Sequence, residues 1–204
     1  MTPEIFLLCL FGAVLEMDTT YTFQFLLSRG IVAGPLLSLV TGDLLSGLQV
    51  GIFTELVFID VNPLGGVLPP SAVGCCVFTL ALHAMGVPLC FAFFVGVLGA
   101  ILFSFLERTM RRRRARWLVY KELKIGRNPR EMGRTICMAL GQSFLLALIV
   151  FVLFSWISGR LMMLLVPFIP EKALLVSTIA YMAVPWIGLA TLISMFNLRR
   201  GGGK

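Results

Sequence analysis

Charge is what this 204-residue chain has least of: Asp, Glu, Lys and Arg make up 13% of it, about half the share of an ordinary soluble domain. Together with 58% hydrophobic residues and a mean hydropathy of +0.96, that excludes a water-soluble globular fold. A single histidine, His83, leaves too few parts for a histidine-based triad or a histidine-rich metal cluster. The five cysteines (Cys9, Cys75, Cys76, Cys90 and Cys137) lie in apolar stretches without metal-ligand spacing, so they read as small buried hydrophobes rather than a disulfide framework. No glycine-rich phosphate loop ending in Lys-Ser or Lys-Thr, no G-x-S-x-G elbow and no zinc-protease helix is present. Catalytic residues, cofactors and metals are therefore not expected.

What is present is a series of apolar runs near or above the roughly 20 residues that a helix needs to cross a bilayer. Backbone groups in lipid must be satisfied within their own segment, and short alternating barrel strands are missing, so an all-α polytopic integral membrane protein follows. The net charge of +7 is concentrated: eleven of the seventeen Lys and Arg residues fall between Arg108 and Arg134. A basic patch between hydrophobic segments marks the cytoplasmic side rather than a nucleic-acid surface.

The chain divides into an N-terminal membrane region (1–106), a basic cytoplasmic loop (107–135) and a C-terminal membrane region with a short basic tail (136–204). The start, MTPEIFLLCLFGAVLEMD, lacks the positive region of a secretory signal. Ile5 to Leu27 reads as a first membrane segment interrupted by Glu16 and Asp18, acids that are either at a membrane face or solvated in a loop. Gly86 and Pro88 divide the apolar run from Ala72 to Leu106 into two helical pieces, with His83 near the break as a helix-end or interfacial residue rather than a catalyst. Ile136 to Ser158 and about Ala173 to Leu198 supply further spans, and both basic ends then lie on one side of the membrane.

The stretch 31–70 is the most informative. One straight helix from Ile31 to Asp60 would be about 45 Å long, against a hydrocarbon core of about 30 Å. Gly34, Gly42, Gly47 and Gly51 are poor helix-interior residues, which favours a broken, re-entrant hairpin over a tilted helix. Gly42-Asp43 and Ser46-Gly47 are the natural breaks, and such a hairpin is expected to bring Asp43 and Glu55 toward a shared interior. Carboxylates at membrane depth face a protein interior or a polar pathway, and broken helices build transporter sites. Asp43, Glu55, Gln49 and Asn62 carry groups suited to sugar hydroxyls, although residue type alone does not separate a sugar from a cation.

The run LLSRGIVAGPLLSLVTGDLLSGLQVGIFTELVFI resembles the IIC membrane component of mannose/fructose/sorbose-type phosphotransferase system permeases. Arg29, Gly42-Asp43, Gly47, Gly51 and Glu55-Leu56 occupy matching places, and IPEKALLVSTIAYMAVPWIGLATLISMF is similar to a later family segment. Gly30 stands where the family usually has proline, Asp60 where it has glycine, and Ser71 where its linker usually ends in aspartate. The resemblance implies a sugar-translocating subunit of the cell inner membrane, part of a trimeric, elevator-like complex. It implies a IID membrane partner, and cytoplasmic IIA and IIB phosphocarriers that supply the phosphoryl group to an incoming hexose. Asp43 and Glu55 become the leading substrate residues, with Arg29, Gln49 and Asn62 behind them. A non-transporting assembly or sugar-sensing subunit and a small ion-coupled transporter are the alternatives.

Overall fold

The computed structural model describes residues 2–19, 25–59, 69–125 and 129–201, of which 118–125, 129–131 and 195–201 by backbone alone. Every regular element among them is helical: α1 (Pro3–Met17), α2 (Gly30–Thr41), α3 (Leu44–Phe58), α4 (Ala72–Ala84), α5 (Leu89–Ile125), α6 (Pro129–Leu165) and α7 (Glu171–Gly201), with one 3-10 turn at Val166–Phe168. Three stretches are long and apolar enough to cross a membrane, namely Leu89–Trp117, Met132–Phe168 and Glu171–Ser194. The chain is thus an all-α membrane protein. Helices α2, α3 and α4 are apolar but have only 12, 15 and 13 residues, short of the roughly 20 that a single crossing takes.

Local chemistry sets the ends of these helices. Pro3 and Glu4 occupy the first turn of α1, where a missing N–H and a negative charge are both favourable. That helix stops at Met17 because the chain turns at Asp18, whose carboxylate accepts hydrogen bonds from the backbone N–H of Phe25 (2.8 Å) and Ser28 (3.3 Å). The helix of the segment from Ile5 to Leu27 thus ends at the acids expected to interrupt it. The Ser71 hydroxyl caps α4 by accepting from Gly74 N–H at 2.8 Å. At the other end of α4, Gly86 turns with φ 90°, and Pro88 precedes the start of α5. The division between α4 and α5 lies where Gly86 and Pro88 put it.

Helix α4 is the centre of the bundle. Every residue from Val73 to Leu82 is buried, as befits a helix that is apolar all round. Helices α1, α2, α3, α5 and α6 pack around it. Small residues let the neighbours approach: Gly12 of α1 lies under Val77 and Phe151, and Gly99 of α5 under Phe78 and Phe154. Edge-on aromatic contacts fill the space between, with Phe78 and Phe151 centroids 5.3 Å apart. Most of the circumference of α6 and α7 is apolar and exposed, Trp156, Trp186 and Ile187 included, as on helices that face lipid or another membrane chain. The basic segment is an extension of these long helices: α5 continues to Ile125 and α6 begins at Pro129.

Candidate functional site

Helices α2 and α3 form a hairpin folded on glycine. Gly42, with φ 76°, adopts the left-handed conformation and ends α2 with its N–H on Ser38 carbonyl at 2.9 Å. Asp43 then opens α3, accepting from Ser46 N–H (3.2 Å) and Ser46 hydroxyl (2.5 Å). Along the arms, Gly30 and Gly34 of α2 face Gly47 and Gly51 of α3. A Cβ on Gly30 would lie 2.8 Å from Gly51 carbonyl oxygen, so the two backbones touch with no side chain between them.

Each end of the hairpin carries a carboxylate. At its tip, His83 of α4 presents Nε2 3.6 Å from Asp43 Oδ2. The other ring nitrogen, Nδ1, lies 3.1 Å from Val87 carbonyl. A carbonyl only accepts, so Nδ1 holds the proton and only the doubly protonated ring also offers a donor to Asp43. At the open end, Glu55 Oε1 receives Arg29 Nη1 at 2.9 Å, and Oε2 receives Gly30 N–H at 2.9 Å. Arg29, the residue that precedes α2, supplies no side-chain cap. Glu55 therefore reaches across from α3 to satisfy the positive N-terminal end of α2. Both side chains keep access to the exterior, Arg29 at 58% and Glu55 at 29% exposed.

The structure thus joins Arg29 with Glu55 and leaves Asp43 elsewhere. The turn falls on the N-terminal side of Asp43, and the Ser46 hydrogen bonds fix that residue to α3. Twelve residues of helix separate the two acids by about 18 Å along the axis, so they do not meet in a shared interior. Ser46-Gly47, the other expected break, lies inside α3. Gln49 is exposed on the same helix, and Asn62 lies outside the described residues.

A second polar cluster was not anticipated from the sequence. Glu16 at the end of α1 and Glu107 on α5 are both buried, at 6% exposure each. Ser71 donates its hydroxyl to Glu16 Oε2 at 2.6 Å and its N–H to Ser104 Oγ at 3.0 Å. Arg111 neutralises Glu107 from one turn away, with Nε 3.1 Å from Oε1. The available signals were the serine before an apolar helix and the four-residue spacing of Glu107 and Arg111. Between α3, α5 and α7, Tyr181 packs on Phe53 (4.7 Å) and Phe93 (5.2 Å), and its buried hydroxyl finds no hydrogen-bond partner among the described residues. No group of three His, Cys, Asp or Glu side chains placed to hold a metal occurs among the described residues.

Chemically, the open end of the hairpin has groups suited to binding a polar ligand. It offers a carboxylate, a guanidinium and the N-terminal end of a helix, with both side chains partly exposed. A family model described as PTS system sorbose-specific IIC component matches residues 2–200. No curated protein matches the sequence.

Proposed function

From the premise that the chain belongs to the sorbose-specific IIC family of phosphotransferase-system components, and so is a membrane permease subunit for sugar, we propose that it binds a hexose at the α2–α3 hairpin. It then passes the sugar inward for phosphorylation by a IIB partner. The observation that carries this reading is the Arg29–Glu55 pair at the open end of a glycine-packed hairpin of short apolar helices. A carboxylate accepts from sugar hydroxyls and a guanidinium donates to them, so the pair can exchange its internal bond for two bonds to substrate. Its partial exposure lets that exchange occur without stranding a charge in an apolar interior. Asp43 serves the other end of the same helix, and Gln49 and Asn62 stand as secondary contacts.

The single histidine fits a subunit that binds sugar but does not carry phosphate. His83 lies at the hairpin tip between Asp43 and Val87, whereas the arginine-rich arms extend from the opposite end of α5. With those arms and the C-terminus on the cytoplasmic side, as the positive-inside rule directs, the phosphoryl donor would work at the Arg29–Glu55 end. A IID chain and further copies of the complex would cover the apolar faces of α6 and α7.

The test is phosphodonor-dependent sugar uptake by cells that express this chain with a IID component and IIA and IIB carriers, with Glu55→Gln and Asp43→Asn beside the native protein. Uptake by the native complex, lost in Glu55→Gln while the complex still assembles, supports the reading. Native assembly without uptake would move the chain to an assembly or sensing role. Uptake that survives removal of IIB and collapses with the proton gradient would make it an ion-coupled transporter.

A further inference from the structure

The shallow cleft between the basic ends of α5 and α6 has a composition that sugar passage does not use. Met110, Arg113, Arg114 and Trp117 form one wall, and Gln142, Leu145, Leu146 and Ile149 the other, around about 470 Å³. Both sets follow the same i, i+3, i+4, i+7 spacing, so each is one stripe of its helix. The two helices are antiparallel here: Phe103 of α5 packs on Phe151 of α6, with ring centroids 5.0 Å apart, whereas Arg114, further along α5, meets earlier residues of α6, its Nη1 donating to Ala139 carbonyl at 2.7 Å and to the Ser143 hydroxyl. The cleft is therefore graded. Arg113, Arg114, Trp117 and Gln142 lie at the end where the charged extension begins, and Met110, Leu145, Leu146 and Ile149 lie toward the apolar span.

We propose that this cleft binds one anionic phospholipid, its phosphate on Arg113 and Arg114 and the start of an acyl chain along Leu145, Leu146 and Ile149. Charge complementarity selects this occupant: an arginine pair at the boundary of an apolar span attracts the anionic headgroups of the inner leaflet. The graded wall excludes a simple inorganic anion, which would leave four apolar side chains without a purpose. Trp117, 44% exposed, has the amphipathic ring suited to headgroup depth. Arg114 already bridges α5 to α6, so a phosphate beside it would tie the two long helices together at the height where they leave the membrane. The inference stands whether or not the hairpin moves sugar.

The experiment is native mass spectrometry of the full chain, purified in detergent and titrated with phosphatidylglycerol, phosphatidylcholine or inorganic phosphate. Native protein should retain one phosphatidylglycerol per chain, with phosphatidylcholine at least about tenfold weaker. Arg113→Gln should weaken phosphatidylglycerol about fivefold, the share of one arginine near an anionic surface. Leu146→Trp, which fills the apolar half of the cleft, should abolish retention with both arginines kept. Arg112→Gln combined with Arg116→Gln removes two charges outside the cleft and should change retention less than about twofold, against the larger loss that two arginines near an anionic surface would otherwise bring. An equal or greater loss in that control pair would reduce the effect to general surface attraction and overturn the site. Displacement of the lipid by inorganic phosphate, or unchanged retention in Leu146→Trp, would overturn it equally. So would unaltered lipid binding in variants that instead lose a soluble protein partner.

Discussion

Gly34→Ala adds one methyl group at the place where α2 and α3 are closest. The new Cβ would lie 2.8 Å from Gly51 Cα and nearer still to Gly47 carbonyl oxygen. Both are backbone atoms, so no side chain can swing away. Ordinary contact begins at 3.4 Å, and the helices must therefore part by about 0.6 Å at Gly51 and further at Gly47. Overpacking of this kind costs about 1–3 kcal/mol, while alanine returns up to about 1 kcal/mol of helix propensity. Two backbone atoms this close place the cost at the upper end, about 2–3 kcal/mol, so the net expectation is a loss of about 1–2 kcal/mol. Gly141→Ala on α6 is the matched control, because nothing lies within 4 Å of its new Cβ. Only the propensity gain remains there, about 0.5–1 kcal/mol of stabilisation. The measurement is reversible unfolding in mixed micelles, followed by helical circular dichroism as denaturing detergent is added. Parting the helices also draws Gly30 away from Glu55, so sugar uptake should fall along with stability. Gly34→Ala as stable as native, or more so, would refute the close-packed hairpin.

Arg29 is 58% exposed, so the Arg29–Glu55 coupling from a double-mutant unfolding cycle should be no more than about 1 kcal/mol; uptake in Glu55→Gln should fall by a factor of ten or more, and matching small losses in both assays would remove Glu55 from the substrate site. Asp43→Asn keeps the α3 cap and should leave unfolding nearly unchanged, whereas Asp43→Ala should cost about 1 kcal/mol, a contrast that unfolding of the two variants checks. Ser71→Ala removes the α4 cap and the donor to buried Glu16, for a combined loss of about 2–4 kcal/mol; Ser71→Thr, which retains a hydroxyl, should recover most of it in the same titration. Tyr181→Phe deletes a buried hydroxyl without a hydrogen-bond partner among the described residues, so stability should hold or rise by up to about 1 kcal/mol; a clear loss in the unfolding curve would mean that the hydroxyl is engaged.

The parts of this architecture that sequence reveals are those set by near neighbours. Gly42 next to Asp43, and Gly86 two residues before Pro88, state their breaks locally, because left-handed backbone and a missing donor are properties of single residues. The glycines spaced four apart on either side of Gly42 likewise announce two arms that can touch. What they do not announce is the side of the turn on which a carboxylate falls. Asp43 could have ended α2 or begun α3, and a hydrogen bond to Ser46 decided it, moving Asp43 about 18 Å along the helix axis from Glu55. Arg29 and Glu55, 26 residues apart, are joined only by the fold. The Glu16 cluster extends the same lesson. A buried carboxylate is tolerable when a donor meets it, and the donor here, Ser71, stands 55 residues away at the cap of another helix. Read alone, Glu16 and Asp18 look equally able to be solvated. Asp18 is met by the nearby backbone N–H groups of Phe25 and Ser28, but the partner of Glu16 is set by where α4 begins, which makes α4 both the packing centre of the bundle and the element that keeps that acid inside it.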